Sequence, residues 1–208
     1  MSQLSLFESA EAVLVDDASG RIVYSPRFVS AALSDAWFAE LRERVAWKSE
    51  RRPMYDREVD VPRLTAHFPL DEPEPGPDLP DAIREAARQV VARTGVPFNG
   101  VGLNRYRDGR DSVAPHNDHL HALVRGFPIA LLSLGAPRRM TIRAKQPPRR
   151  AFHVALESGS LLMMSYETQL HYTHGIPKTN DPVGERISLA FRVRPAPVDG
   201  EERGDDYR

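Results

Sequence analysis

A chain of 208 residues with 41% hydrophobic content suits one compact domain, or a core domain with a small N-terminal extension. Its formal net charge of -1 argues against a wholesale polyanion binder, and the absence of cysteine removes disulfides, thiolate zinc sites and cysteine nucleophiles. No apolar run is long enough to span a bilayer, and the opening Met1 to Phe7 lacks the features of a secretory signal, so a soluble monomer in a reducing cytoplasm is expected.

In chain order, residues 1–32 read as a loose start carrying a short hairpin, Ala12–Val15 and Ile22–Tyr24, around Gly20. Ser34 caps a predicted helix over 35–47, with Trp37, Phe38, Leu41, Val45 and Trp47 near helical spacing. Pro69, Pro73, Pro75, Pro77 and Pro80 impose a loop. A second helix follows over 81–94, with Ile83, Ala86, Ala87, Val90 and Val91 as its apolar stripe and Gly95 as its stop.

From residue 98 short β-like runs take over: 99–106, 127–134, 139–144, 151–156, 160–165, 170–173 and 186–194. Turn signals such as Asp108-Gly109, Gly135-Ala136-Pro137, Pro147-Pro148 and Ser158-Gly159 separate them. This texture predicts a mainly β fold with flanking helices, a sandwich or jelly roll. The expected division is an extension over 1–60 whose helix packs on the core, a core over 61–195, and a disordered tail over 196–208.

Charge is unevenly spread. Arg138, Arg139, Arg143, Lys145, Arg149 and Arg150 form a basic stretch with no acid among them, while acids gather at Asp71-Glu72-Pro73-Glu74 and in the C-terminal tail. The stretch is either a solvated strand and loop or a surface that contacts phosphates.

His116-Asn117-Asp118 is an H-x-D triplet after a predicted strand. In extended backbone residues i and i+2 share a face, so both side chains can converge on one ion. Two histidines and a carboxylate on one octahedral face leave three positions open, the arrangement of non-heme iron oxygenases. The third ligand is sought among His153, His171 and His174. His174 is favoured because Gly175-Ile176-Pro177 breaks its strand and frees space there. Downstream, Arg186, Ser188, Ala190 and Arg192 alternate with Ile187, Leu189 and Phe191. Should the arginine face point inward, two buried guanidinium groups would be costly without an anionic partner.

The ordered set Asn104-Arg105-Tyr106-Arg107-Asp108-Gly109, His116-x-Asp118, Pro128 to Gly135, Gly159 to Met164, His174-x-x-Pro177 and Arg186 to Arg192 resembles the AlkB family of nucleic-acid dealkylating dioxygenases. Upstream, Pro62-Arg63-Leu64-Thr65-Ala66 resembles the segment leading into that family's substrate lid. The resemblance covers roughly residues 60–194. It implies a double-stranded β-helix with iron(II) held by His116, Asp118 and His174. Arg186 and Tyr106 would hold the distal carboxylate of 2-oxoglutarate, with Asn104 and Arg192 near its keto-acid end. Ser188 stands where the family often has asparagine. Dioxygen and 2-oxoglutarate would be consumed to oxidise an N-alkyl group, which leaves as an aldehyde.

Alkylated DNA or RNA would be the partner, and Arg63, Phe68, His119, Arg138 and Arg139 the residues that meet it. Phe68, Tyr166 and Tyr172 are aromatics that could stack on an extruded base. The chain departs from the family at His119, Leu120 and His121, where repair members commonly carry acids, and at Ala190, where threonine is common. Two other readings stay open: an oxygenase of the same chemistry acting on a small molecule or protein, and a non-catalytic jelly-roll binding module.

Overall fold

Alternating apolar residues fold this chain into two facing antiparallel sheets. The computed structural model describes residues 11–54, 57–71 and 79–196. Its strands are β1 (Ala12–Asp17), β2 (Gly20–Ser25), β3 (Lys48–Met54), β4 (Arg57–Pro69), β5 (Gly100–Tyr106), β6 (Val113–His116), β7 (Ile129–Gly135), β8 (Arg138–Ala144), β9 (Ala151–Leu156), β10 (Leu161–Met164), β11 (Tyr172–Ile176) and β12 (Arg186–Arg192). The helices are α1 (Ala31–Arg44), α2 (Asp81–Thr94) and α3 (Tyr166–His171). The large sheet runs β1-β2-β10-β7-β12-β5-β4-β3 and the small sheet β6-β11-β8-β9. This is the jelly roll expected from the strand spacing.

Period-two alternation decides which face each residue serves. On the outer face of the large sheet Leu103, Leu132, Leu134, Ile187, Leu189 and Phe191 are buried with Trp37 and Leu41 of α1 and Ile83 and Val90 of α2. On the inner face Tyr106, Leu131, Met164 and Ala190 join Met140, Ile142, Val154 and Ile176 from the small sheet. The two cores sit on either side of one sheet, which leaves β12 at its centre between β5 and β7.

Several expectations shift in detail. Ser30, not Ser34, caps α1: its hydroxyl accepts from the Leu33 amide at 3.3 Å, so the helix starts four residues early. Ser34 is instead buried inside the helix and donates to the Ala31 carbonyl at 2.9 Å. α2 runs as expected and ends at Gly95, whose φ of 69° needs the left-handed region. The segment 166–171 is the short helix α3, so the strand expected at 170–173 starts at Tyr172. The predicted strands also omit β3, β4 and β6.

The expected boundary at residue 60 falls inside β4, whose residues 64–69 pair with β5. The N-terminal hairpin likewise extends the large sheet, because β2 pairs with β10. Among the described residues before position 60, the hairpin and β3 thus extend the large sheet, while α1 packs on its outer face as expected. Residues 72–78 of the proline-rich loop and all of the expected tail but its first residue lie outside the described residues.

Candidate active site

The small sheet brings two histidines together by register. In the β6–β11 pair, His116 stands directly opposite His174, and their ring centroids are 4.5 Å apart. Gly175 makes this closeness feasible, since a Cβ there would come within 2.9 Å of the Val113 carbonyl oxygen. Asp118 follows two residues after His116, just beyond the strand. One ligand atom from each of His116, Asp118 and His174 lies within 4.8 Å of the others. His171 is exposed at the end of α3, and His153 is exposed on β9 with its Nδ1 3.2 Å from the Thr141 hydroxyl. Neither belongs to the cluster.

The local hydrogen bonds suit a cation. His116 Nδ1 lies 2.9 Å from the Ala114 carbonyl, which can only accept, so the proton sits on Nδ1 and Nε2 offers its lone pair. Asp118 Oδ2 accepts from Arg192 Nε at 2.6 Å, leaving Oδ1 on the histidine side, 4.0 Å from His116 Nε2. Burial, and then the neighbouring His116, pull the His174 imidazole down to about 4. Burial also lowers His116. Burial alone would raise Asp118, but the charge and hydrogen bond of Arg192 outweigh it and hold the carboxyl well below its usual range. At neutral pH the cluster is thus two neutral imidazoles and one carboxylate, the ionisation state a divalent metal requires.

A pH effect follows from His174. Its folded value lies below its unfolded one, so between about pH 6.5 and 4 the unfolded chain binds more protons, and stability falls as pH falls. The metal-free protein should lose up to about 3 kcal/mol across that window. Thermal midpoints measured from pH 7 to 4 should drop, and His174→Leu should flatten the drop.

Between the sheets lies a cavity of about 760 Å³ that contains the cluster. Asn104 and Tyr106 of β5 and Arg186, Ser188 and Arg192 of β12 line it from the large sheet. Register pairs Arg186 with Tyr106 and Ser188 with Asn104, so the expected co-substrate residues share one inward face. Arg186 is 1% exposed, and its guanidinium lies 5.1 Å from the Tyr106 ring centroid. Its Nη2 donates to the Ser133 hydroxyl at 2.9 Å, while Nε and Nη1 are buried without a hydrogen-bond partner. Two unpaired donors on a buried cation are expensive. Anionic oxygens that accept from these donors would relieve that cost, so the residues fit a dianionic co-substrate reaching into the cavity. Ser133 was missed from sequence, although a serine inside the apolar run Ile129 to Leu134 was the available signal.

The residues expected to meet substrate divide. Arg63 lines the cavity and donates from Nε to Asn104 Oδ1 at 2.7 Å. His119 also lines it, with its exposed ring 5.4 Å from that of His121. Phe68 packs against the outer core, and Tyr166 and Tyr172 belong to the inner core, so none of the three lines the cavity.

Arg138 is a correction: it is 3% exposed and points inward. It donates to the carbonyls of Asp108, Asp111 and Pro177 at 2.8–2.9 Å, which leaves it a tether between loops and not a contact surface. Alternation along β8 turns Arg139 and Arg143 outward and exposed. Elsewhere in the basic stretch, Arg150 pairs with Asp17 at 2.8 Å and Lys145 donates to the Gln169 carbonyl at 2.8 Å.

The sequence pattern of the 2OG-Fe(II) oxygenase superfamily matches residues 21–192. The chain is 33% identical over 188 residues to the alpha-ketoglutarate-dependent dioxygenase alkB homolog 3 of Bos taurus, a match spanning 83% of this chain and 66% of that protein. It is 37% identical over 180 residues to the DNA oxidative demethylase ALKBH2 of Homo sapiens, spanning 77% and 69%. The chain thus spans about two-thirds of the length of these curated relatives. Among solved structures, OsALKBH1 superposes with a TM-score of 0.57 at 14% identity, covering 83% of this chain and 97% of that one. A Pseudomonas putida prolyl-4-hydroxylase superposes with a TM-score of 0.53 at 18% identity, covering 84% and 93%. At these identities the structural likeness speaks for the fold alone.

Proposed function

Because the chain belongs to the 2OG-Fe(II) oxygenase superfamily, and within it to the AlkB homologues, we propose that it is an iron(II)- and 2-oxoglutarate-dependent dioxygenase that removes N-alkyl groups from nucleic-acid bases. The observation that carries this reading is the pairing of two features in one cavity. The His116, Asp118 and His174 cluster lies beside a buried Arg186 whose Nε and Nη1 await an anion.

In this reading His116, Asp118 and His174 hold iron(II). Iron bound there would supply, with dioxygen and 2-oxoglutarate, the oxidation that releases an N-alkyl group as an aldehyde. The chain's own residues do the positioning. Arg186 grips the distal carboxylate of the co-substrate, flanked by Tyr106 and Ser133. Arg192 fixes Asp118, while Asn104 and Ser188 face each other across the β5–β12 pair on the cavity wall. Ile129, Leu131, Met164 and Ala190 make the remaining wall apolar and help exclude water.

Nucleic acid as substrate is supported by the name of the human relative, a DNA oxidative demethylase, and by the charge around the opening. Exposed Arg143 and Lys178 border the cavity, and Arg139 extends the exposed basic face along β8. Phosphate contacts release counterions. Replacing Arg139 and Arg143 together with glutamine should therefore flatten the salt dependence of oligonucleotide affinity, by roughly one to two units of log–log slope. Fluorescence anisotropy between low and moderate salt checks this, and an unaltered slope would remove β8 from the interface.

The deciding assay combines the protein, iron(II), 2-oxoglutarate and a methylated oligonucleotide. Loss of the methyl group matched by equal succinate and formaldehyde is the expected result. Succinate formation indifferent to every alkylated oligonucleotide would instead favour a small molecule or protein as substrate. Among the described residues, no helix is long and apolar enough to cross a membrane.

A further inference from the structure

The three candidate ligands are not anchored alike. His116 and His174 are fixed by their places in the β6–β11 ladder. Asp118 lies past the end of β6, outside any strand, so no ladder bond holds its peptide. Its amide donates instead to Gln169 Oε1 at 3.0 Å, a contact reaching across 51 residues of sequence.

Gln169 is built for that contact. It sits on α3, is 1% exposed and does not line the cavity. Its Nε2 donates to the Thr168 hydroxyl at 3.1 Å, and that hydroxyl donates onward to the Ser165 carbonyl at 2.6 Å. With the Thr168 proton committed, its oxygen must accept, which sets the carboxamide with nitrogen toward Thr168 and oxygen toward Asp118. The helix below is seated closely on the β1–β2 turn: a Cβ on Gly20, whose φ is 120°, would lie 2.7 Å from Thr168 Cγ2. The Gln169 carbonyl is further held by Lys145 Nζ.

We propose that Gln169 is the positioning residue for Asp118, aiming its carboxylate at the metal through the main chain while Arg192 restrains the side chain. This rests on the reading of His116, Asp118 and His174 as the metal ligands. With the amide released, the bond from Arg192 to Oδ2 is left to hold the carboxylate through its side chain alone. Outer partners that orient a ligand commonly govern metal affinity by about 10–100-fold.

The test compares Gln169→Met, which keeps the length but offers no oxygen acceptor, with Gln169→Glu, which restores one once the Thr168 hydroxyl turns from the Ser165 carbonyl to donate to the new carboxylate. Manganese(II) binding is measured by calorimetry, together with the visible charge-transfer band of the anaerobic iron(II)–2-oxoglutarate protein. Gln169→Met should weaken manganese binding by roughly 10–100-fold and shift the band, and Gln169→Glu should recover most of both. If Gln169→Met does not fold, Thr168→Val carries the same test: it removes the hydroxyl that orients the carboxamide and should weaken binding in the same direction. Unchanged affinity and an unmoved band in a folded variant would overturn the proposal. So would equal losses in Met and Glu variants that merely track their thermal midpoints. Failure of the unaltered protein to bind manganese would overturn the metal-centre reading and this inference with it.

Discussion

Asp118→Ala and His174→Ala are each expected to abolish metal binding and succinate formation while leaving a folded protein. The chemistry needs three ligands on one face of the ion with the remaining positions open, and a two-ligand remnant binds weakly and without defined geometry. Neither change removes a β-ladder bond, because both substitutions spare the main chain and the His116–His174 register survives. Asp118→Ala leaves Arg192 without its 2.6 Å partner, so Asp118→Asn is the cleaner variant, offering the guanidinium an amide oxygen but no charge to the ion. Calorimetry with manganese(II), succinate by mass spectrometry and circular dichroism read metal, turnover and fold separately. His171→Ala and His153→Ala should retain substantial activity, since both side chains are exposed and outside the cluster. A dead His171→Ala beside an active His174→Ala would show the ligand assignment to be wrong.

Arg186→Lys is expected to raise the 2-oxoglutarate requirement by roughly tenfold or more with a smaller change in maximal rate. Nη2 gives one of its two N–H groups to Ser133, which leaves its second N–H together with Nε and Nη1 for a carboxylate. A charge-assisted contact of this kind contributes about 1.5–3 kcal/mol, and tenfold in affinity corresponds to about 1.4 kcal/mol. Lysine keeps a positive charge but loses the planar fork, so it cannot serve Ser133 and both carboxylate oxygens in the same geometry. Turnover measured against 2-oxoglutarate concentration at saturating iron tests this. An unchanged KM would take Arg186 out of the co-substrate site.

How much could be read beforehand depended on whether a feature is local. The hairpin around Gly20, α2 with its Gly95 stop and the run β5 follow from spacing and turn residues alone. The i, i+2 spacing of His116 and Asp118 and the alternation of Arg186 to Arg192 also carried over, because periodicity survives whatever the strand packs against. What failed was long-range. Arg138 was read as part of a basic surface, yet its three carbonyl partners come from two distant loops that no local pattern connects. β6 spans only four residues and includes Pro115, too short and too interrupted to show a period. β3 and β4 are rich in charged residues and prolines, so they lack the apolar alternation that marks a strand. Gln169 gave no warning, since its role appears only once α3 lies against the end of β6.

The position of β6 at the rim of the small sheet has a consequence for local breathing. Among the described residues it bonds to β11 alone, through two register points, and its middle residues Ala114 and Pro115 are exposed. Such a segment should open at low free energy compared with β12, which is paired on both flanks. Yet His116 at its end faces His174 on the neighbouring strand, so an ion shared by the two would act as a clasp across the weakest seam. Peeling β6 away would first require shedding that ion, and the opening equilibrium would shift with metal concentration as RT ln(1 + [L]/Kd). Amide hydrogen exchange at Val113, His116 and Asp118 would then slow as manganese is added, while the centre of β12 would respond only through global unfolding. Metal occupancy would be recorded in how often one short strand lets go.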